Sequence, residues 1–445
     1  MRVNFVSQND IQLVIKGFDK LYEHIIKTGQ LDAENIKNFM EPYFKEAGYR
    51  EIVKKKDKNF NKNILIIHDA GIGDFIIISA VIREIRRIYQ KAHITLIVTK
   101  LSLSLAETCP YIDEVIAINK SFNKLKDIFI FYKNELLDVT KQLLKRRFDI
   151  AFSFTQYPSS QLIAYASGAK ERIEELWISD VDKAFKLGYI PMSFFGTLAT
   201  YRNDFKKLKN PHFNECCINI LQNYSKVNIK NKKLEVWLSP IDNFVAETLL
   251  QSFNGRKIYA ISMGSNKGLH RKRWNPENYA KLINMILEQE NSIFVILGGI
   301  SEIEEGNIVA SLVNPDNLVN LTDKLTLRQS IAVLNLCDYY IGNDTGMMHA
   351  AAALNIAVLS PNCFPMDLQM FPTSFPQKYY PYGVPSVIVR PAHALSECKN
   401  SDELSGCMME ESHCINQITP DTMFKAFQFL SKQIAENAKE PVFYS

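Results

Sequence analysis

Apolar residues recur at spacings of three and four through Ile11, Val14, Ile15, Phe18, Leu21, Tyr22, Ile25 and Ile26, the stripe of a helix with one buried face. Asp32 stands where a second helix would be capped, ahead of Ile36, Phe39, Met40 and Tyr43. The charge run from Lys54 to Lys58 then predicts a solvated linker. From residue 62 the period changes. Short apolar runs of strand length (Asn63–His68, His93–Thr99, one opening at Glu114, and Phe148–Ser153) alternate with helical stretches such as Ile76–Tyr89. Strands that are apolar throughout and separated by helices predict a parallel sheet covered on both faces.

The same grammar restarts near residue 257. Strands are expected at Lys257–Ser262, Ser292–Leu297 and Asp338–Gly342, with a helix over Pro276–Glu288 and an alanine-rich helix after Gly342. The tail from Asp421 to Glu440 carries Met423, Phe427, Leu430 and Ile434 at helical spacing. The expected fold class is α/β, with two Rossmann-like domains facing a cleft behind an N-terminal helical extension. The extension reads as residues 1–60, the first Rossmann-like domain as 61–240, the second as 241–418 and a C-terminal helix as 419–445. The less regular stretch 176–240 holds the boundary and is rich in aromatics, with Phe185, Tyr189, Phe194, Phe195, Tyr201 and Phe205.

Composition narrows the function. A chain of 445 residues that is 47% hydrophobic and 22% charged is a soluble globular protein of two or three domains. Lys plus Arg number 52 against 48 Asp plus Glu, a surplus too small for a nucleic-acid partner. No apolar run approaches the ~20 residues of a membrane span, and the N-terminus lacks the apolar core of a signal peptide. These features predict a cytoplasmic protein whose eight cysteines are reduced thiols.

Three strand-to-helix turns carry candidate chemistry. The first is Asp69-Ala-Gly71-Ile-Gly73-Asp74. As a dinucleotide fingerprint it fails, because the third glycine falls at Ile76 and the second strand ends in Thr99-Lys100, with no ribose-binding acid. What remains is Asp74 at the carboxyl edge of a parallel sheet, where it is either a helix cap or a functional acid. The second turn is Asn343-Asp344-Thr345-Gly346-Met-Met-His349, either a capped, tightly packed helix with a buried His or a helix N-terminus that offers donors to an anion. The third runs from Ser262 to Pro276. It holds Ser265 and four cations (Lys267, Arg271, Lys272 and Arg273), lacks the order of a P-loop, and is either a diphosphate cradle or a solvated basic loop.

Together the three turns resemble glycosyltransferase family 9, the lipopolysaccharide heptosyltransferases. The resemblance rests on Gly73-Asp74, on Lys272-Arg-Trp274-Asn-Pro276 and on Asp344-Thr345-Gly346-Met-Met-His349, with lesser support from Arg147-Phe-Asp149, Asn320–Leu327 and Cys414–Pro420. It covers roughly residues 62–435, and the chain departs from it in the 1–60 segment, in the extra Asn275 and in the aromatic insertion.

The resemblance implies the GT-B fold and an inverting transfer that needs no metal cofactor for catalysis. It implies Asp74 as the base, with Lys272, Thr345 and Gly346 on a leaving nucleoside diphosphate and Asp344 on the donor sugar. Gly73, Ser265, Glu302 and His349 are further donor-side candidates. The implied partners are a nucleotide sugar, expected to be ADP-heptose, and a lipopolysaccharide-core or protein acceptor. Peripheral contact with the inner face of the membrane and a homo-oligomer are both compatible with it. The branch that modifies autotransporter proteins is similar in carrying a late cysteine quartet for iron. Here Cys363, Cys398, Cys407 and Cys414 would be either a four-thiolate iron or zinc site or reduced thiols, and no C-x-x-C pair marks a site. The alternatives to a transferase are a nucleotide-sugar 2-epimerase of similar build and a non-catalytic double-Rossmann binding protein.

Overall fold

A computed structural model of the chain describes residues 7–29, 31–49, 62–119, 127–131, 135–155, 157–176, 195–204, 210, 212–253, 255–265, 270–367, 375–396, 411–436 and 438–445. The expected linker at 54–58 and the aromatics Phe185, Tyr189, Phe194 and Phe205 lie outside these residues. Two compact units are present. Residues 1–210 and 214–232 form the first, and 233–445 with 211–213 form the second.

The first unit opens with helices α1 (Gln8–Thr28) and α2 (Ala33–Glu46). Asp32 caps α2 as its sequence position predicts, its carboxylate accepting from the Asn35 N–H at 2.8 Å. The two helices pack closely at Gly17, where a Cβ would meet the Tyr43 ring at 2.7 Å. Their apolar stripes do not form a separate core. Ile11, Val14, Phe18, Met40 and Phe44 join Leu65, Ile67, Leu144 and Tyr165 in one buried cluster on a face of the first sheet. The Tyr49 hydroxyl donates to the Leu144 carbonyl at 2.8 Å and ties the end of α2 to that face.

The sheet itself comprises β1 (Asn63–His68), β2 (His93–Thr99), β3 (Glu114–Ile118), β4 (Ile150–Ser153), β5 (Glu171–Leu176) and β6 (Tyr201–Asp204). They lie in the order β3-β2-β1-β4-β5-β6, all parallel. The helix expected over Ile76–Tyr89 is two helices, α3 (Ile72–Ile77) and α4 (Ser79–Ile88), joined at Ile78.

The second unit repeats the plan. Its strands are β7 (Lys257–Ser262), β8 (Ser292–Ile296), β9 (Leu318–Asn320), β10 (Tyr339–Gly342), β11 (Ala357–Pro361), β12 (Ser386–Val389) and β13 (Pro441–Tyr444). They form the parallel order β13-β12-β11-β10-β7-β8-β9. The C-terminal segment is therefore not all helix. The helix runs Pro420–Ala435, and Pro441–Tyr444 then adds an edge strand to β12. An edge is where the unpaired backbone of β12 needs partners and where a proline is tolerated.

Both sheets have the doubly wound order, in which the chain reverses direction across the sheet between the first and fourth strands. Ligands of such sheets bind outside the carboxyl ends of the strands at that reversal. The reversal lies between β1 and β4 in the first unit and between β7 and β10 in the second. No helix among the described residues is long and apolar enough to cross a membrane.

Candidate active site

In the first unit the reversal carries the Gly-Asp turn. Gly71, in extended backbone, opens α3 without any side-chain cap. Asp74 is the third residue of that helix, behind Ile72 and Gly73, so the capping role weighed for it in the sequence is not the one it has. It is partly buried, in the first turn, where the helix dipole favours its charge. The Tyr157 phenol, pushed above its ordinary value by burial, also feels the charges of Asp74 and Asp69.

His68 ends β1 and is fully buried against the Phe75 ring, whose centroid is 6.0 Å away. Neither ring nitrogen has a hydrogen-bond partner. Burial pulls its pKa down from 6.5 to about 3. Between those values the unfolded chain binds a proton that the folded chain refuses, so His68 makes stability fall as pH drops through 6.5 toward 3. Glu174, also buried and held up to about 8 by desolvation, acts oppositely, lowering stability as pH rises from 4.5 to 8. A variant difference isolates the histidine. His68→Met should gain on wild type by about 1.4 kcal/mol per pH unit below 6.5, reaching about 3 kcal/mol near pH 4.5. Urea midpoints across pH measure this, and a pH-independent difference would mean that His68 takes up its proton as readily in the fold as in the unfolded chain.

The second unit brings its two candidate turns together. Gly342, the last residue of β10, pairs with Ser262 of β7, and a Cβ there would collide with the Ser262 carbonyl and the Tyr340 hydroxyl. The close approach needs glycine. Asn343 follows, fully buried, and its amide stitches three segments. Its Nδ2 donates to the Met263 and Gly264 carbonyls, while Oδ1 accepts from the Trp274 N–H at 3.2 Å and the Tyr279 hydroxyl at 2.8 Å.

This stitching sets Lys272 beside Asp344. The Lys272 Nζ donates to Asp344 Oδ2 at 2.8 Å, with 18% and 19% of the two side chains exposed. Burial opposes both charges, but each partner stabilises the other, so the lysine stays above and the carboxyl below its usual range. Thr345 precedes the helix Gly346–Ala353 in extended backbone and does not cap it with its side chain. Its hydroxyl lies 3.3 Å from that of Tyr340. His349 sits one turn on, buried, with no partner for Nδ1 and a pKa lowered by burial to about 4. An ammonium beside a helix start with no side-chain cap is a place for an anion such as a phosphate.

Ser265 and Glu302 are joined by a residue to which the sequence assigned no separate role. Arg273, buried, donates through Nε to Ser265 Oγ at 3.1 Å and through Nη2 to Glu302 Oε1 at 3.2 Å, and it also reaches Glu305. Glu302 Oε2 accepts from the Gly299 N–H at 2.7 Å. Arg273 and Glu302 thus brace the loops around the site. Lys267, Cys398 and Cys407 lie outside the described residues. Cys363 and Cys414 are buried, the first close enough to Lys272 to support its charge. Among the described residues no group of three or more His, Cys, Asp or Glu is placed to hold a metal.

Residues 136–361 match the family model described as glycosyltransferase family 9 (heptosyltransferase). The chain is a family 9 glycosyltransferase. It is 24% identical over 298 residues to lipooligosaccharide heptosyltransferase 2 of Campylobacter jejuni, a match covering 66% of this chain and 79% of that one. Among solved structures it resembles a family 9 glycosyltransferase from Veillonella parvula (TM-score 0.63, 18% identity, 84% of this chain and 97% of that one). It also resembles the E. coli ADP-heptose lipopolysaccharide heptosyltransferase II (TM-score 0.60, 17% identity, 84% and 99%). The two doubly wound units of this family 9 enzyme are those of the GT-B class, as the resemblance implies. The matched span begins after α1 and α2, yet those helices are built into the core of the first unit.

Proposed function

We propose that this enzyme moves a heptose from ADP-heptose to a lipopolysaccharide-core or protein acceptor, inverting the anomeric centre. The observation that carries the reading is the meeting of Lys272, Asp344 and the uncapped Thr345–Gly346 helix start at the strand reversal of the second unit. Lys272 and the helix N–H groups stabilise the charge that develops on the leaving diphosphate. Asp344 accepts hydrogen bonds from donor sugar hydroxyls. Asp74 takes the proton of the attacking acceptor hydroxyl, the task of a general base. The ADP-heptose named for the E. coli structure and the lipooligosaccharide work of the C. jejuni relative support this choice of donor and acceptor.

A thermal-shift panel of nucleotide sugars tests the donor. At about 100 times its dissociation constant a bound donor adds roughly 2.7 kcal/mol of stability. ADP-heptose and ADP should raise the melting temperature, while UDP and GDP sugars should not. Mass analysis of the product with and without acceptor tests the transfer. An isomerised or free sugar formed without acceptor would replace the transferase reading with the epimerase one.

The cysteines have a separate test. Reduced thiols predict folded, active protein without stoichiometric metal, because the spacing holds no paired ligand motif. Elemental analysis returning about one iron or zinc per chain would assign Cys363, Cys398, Cys407 and Cys414 to a four-thiolate centre.

A further inference from the structure

Asp69 directly follows the last residue of the first strand and begins the Gly-Asp turn. It is fully buried, a costly state for a carboxylate unless its charge is fully met. Three hydroxyls meet it. Thr155 Oγ1 and Ser160 Oγ each donate to Oδ1 at 2.5 Å, and Ser159 Oγ donates to Oδ2. All three come from the segment that leaves β4, on the far side of the strand reversal. The Thr155 and Ser160 hydroxyls also lie within hydrogen-bond distance of each other, so the two form one cluster with Oδ1. Burial holds the Asp69 pKa above the usual carboxylate range, and the three donors offset only part of that rise.

The next residue is pinned from the other side. The Ala70 carbonyl accepts from Thr99 Oγ1, at the end of β2, at 3.1 Å. Beyond it only Gly71, Ile72 and Gly73 separate this anchor from Asp74. Asp74 stands in the first turn of α3, whose Phe75, Ile76 and Ile77 are buried. The residues that clamp Asp69 and Ala70 therefore fix the segment from which that helix starts.

We infer that Asp69, clamped by Thr155, Ser159 and Ser160, is a positioning residue that holds the turn carrying Asp74 in register with the acceptor hydroxyl. The inference rests on the reading of Asp74 as the base. A carboxyl group held by three hydroxyls suits the task because hydrogen bonds fix direction as well as distance. An apolar contact would fill the space without fixing a direction. The geometry of general-base attack is demanding, and a displacement of about 1 Å can cost 10²-fold in rate.

The test is a set of folded variants assayed for transfer and for nucleotide binding. Asp69→Asn should lower kcat by about 10- to 100-fold. ADP affinity, proposed to reside in the second unit, should stay within about twofold, because the Asp69 anchor lies wholly in the first unit. Ser159→Ala and Ser160→Ala should give smaller losses of kcat with the same split, and Thr155→Ser, which keeps its hydroxyl, should retain more activity than Thr155→Ala. Unchanged kcat in folded Asp69→Asn, or a parallel loss of ADP affinity, would overturn the inference. Should Asp69→Asn not fold, the two serine variants decide it, and unchanged kcat in both overturns it. Asp74→Asn measured alongside keeps the two readings apart. Near-normal transfer there removes the base itself, whereas normal transfer in the Asp69 set alone removes only the anchor.

Discussion

Asp74→Asn should lower the transfer rate by ~10²–10⁴-fold while leaving the fold and nucleotide affinity nearly intact. The substitution keeps the size and shape of the side chain and removes the proton acceptor. Asp74 is the third residue of α3 and not its cap, so the structural loss is confined to one carboxylate in the field of a helix N-terminus, about 0.3–1 kcal/mol. A melting temperature within a few degrees of wild type, with ADP binding retained, is the expected background against which the rate falls. Near-normal transfer by such a protein would assign Asp74 to the helix alone, and the base would have to be sought elsewhere on the carboxyl edge of the first sheet.

Lys272→Met should have two effects that a second substitution separates. The Asp344 carboxylate loses the partner that holds it in a largely buried place, which should cost about 3 kcal/mol of stability in the second unit. Affinity for ADP should fall roughly 10- to 150-fold, the loss of one charge-assisted contact to phosphate worth about 1.5–3 kcal/mol. In a Lys272→Met/Asp344→Asn double variant the stability should largely return, since no buried charge is left alone. The affinity should not return if the ammonium itself touches the diphosphate. Calorimetric ADP binding to the four proteins of this cycle reads the answer directly. Recovery of affinity in the double variant would make Lys272 only the keeper of Asp344.

The unit core was legible where periodicity is local. Asn63–His68, His93–Thr99 and Lys257–Ser262 are strands with the boundaries their apolar runs suggest. Asp32 and Pro276 begin helices where their chemistry predicts. Less regular strands escaped. The β5 run Glu-Arg-Ile-Glu-Glu-Leu is mostly charged and reads as surface until Arg172 is seen donating to the Leu198 and Ala169 carbonyls while stacking on Tyr165. Strand β13 escaped for another reason. Four residues after a long helix carry too little pattern of their own, and their state depends on the open edge of β12.

The candidate site divides along the same line. The residues able to meet an anion, Lys272 and the Thr345–Gly346 helix start, were visible because glycine turns, cations and helix starts are written in consecutive residues. The acid Asp74 was visible for the same reason, as was the likeness of all three turns to family 9. Which of these meet, and what holds them, was not. Arg273 looked like one cation of four, Asn343 like a turn residue, and Asp69 like the first letter of a glycine motif. Their roles depend on contacts made 8 to 91 positions away in the chain. Sequence alone determined the two sets of parallel strands and the chemistry at their turns, because side-chain period and backbone preference are local properties. Only the tertiary structure decided that β4 would lie against β1 and β10 against β7. That strand order brings the hydroxyls of Thr155, Ser159 and Ser160 to Asp69, and Asp344 to Lys272, and it is set by packing of whole faces that no short stretch of residues encodes.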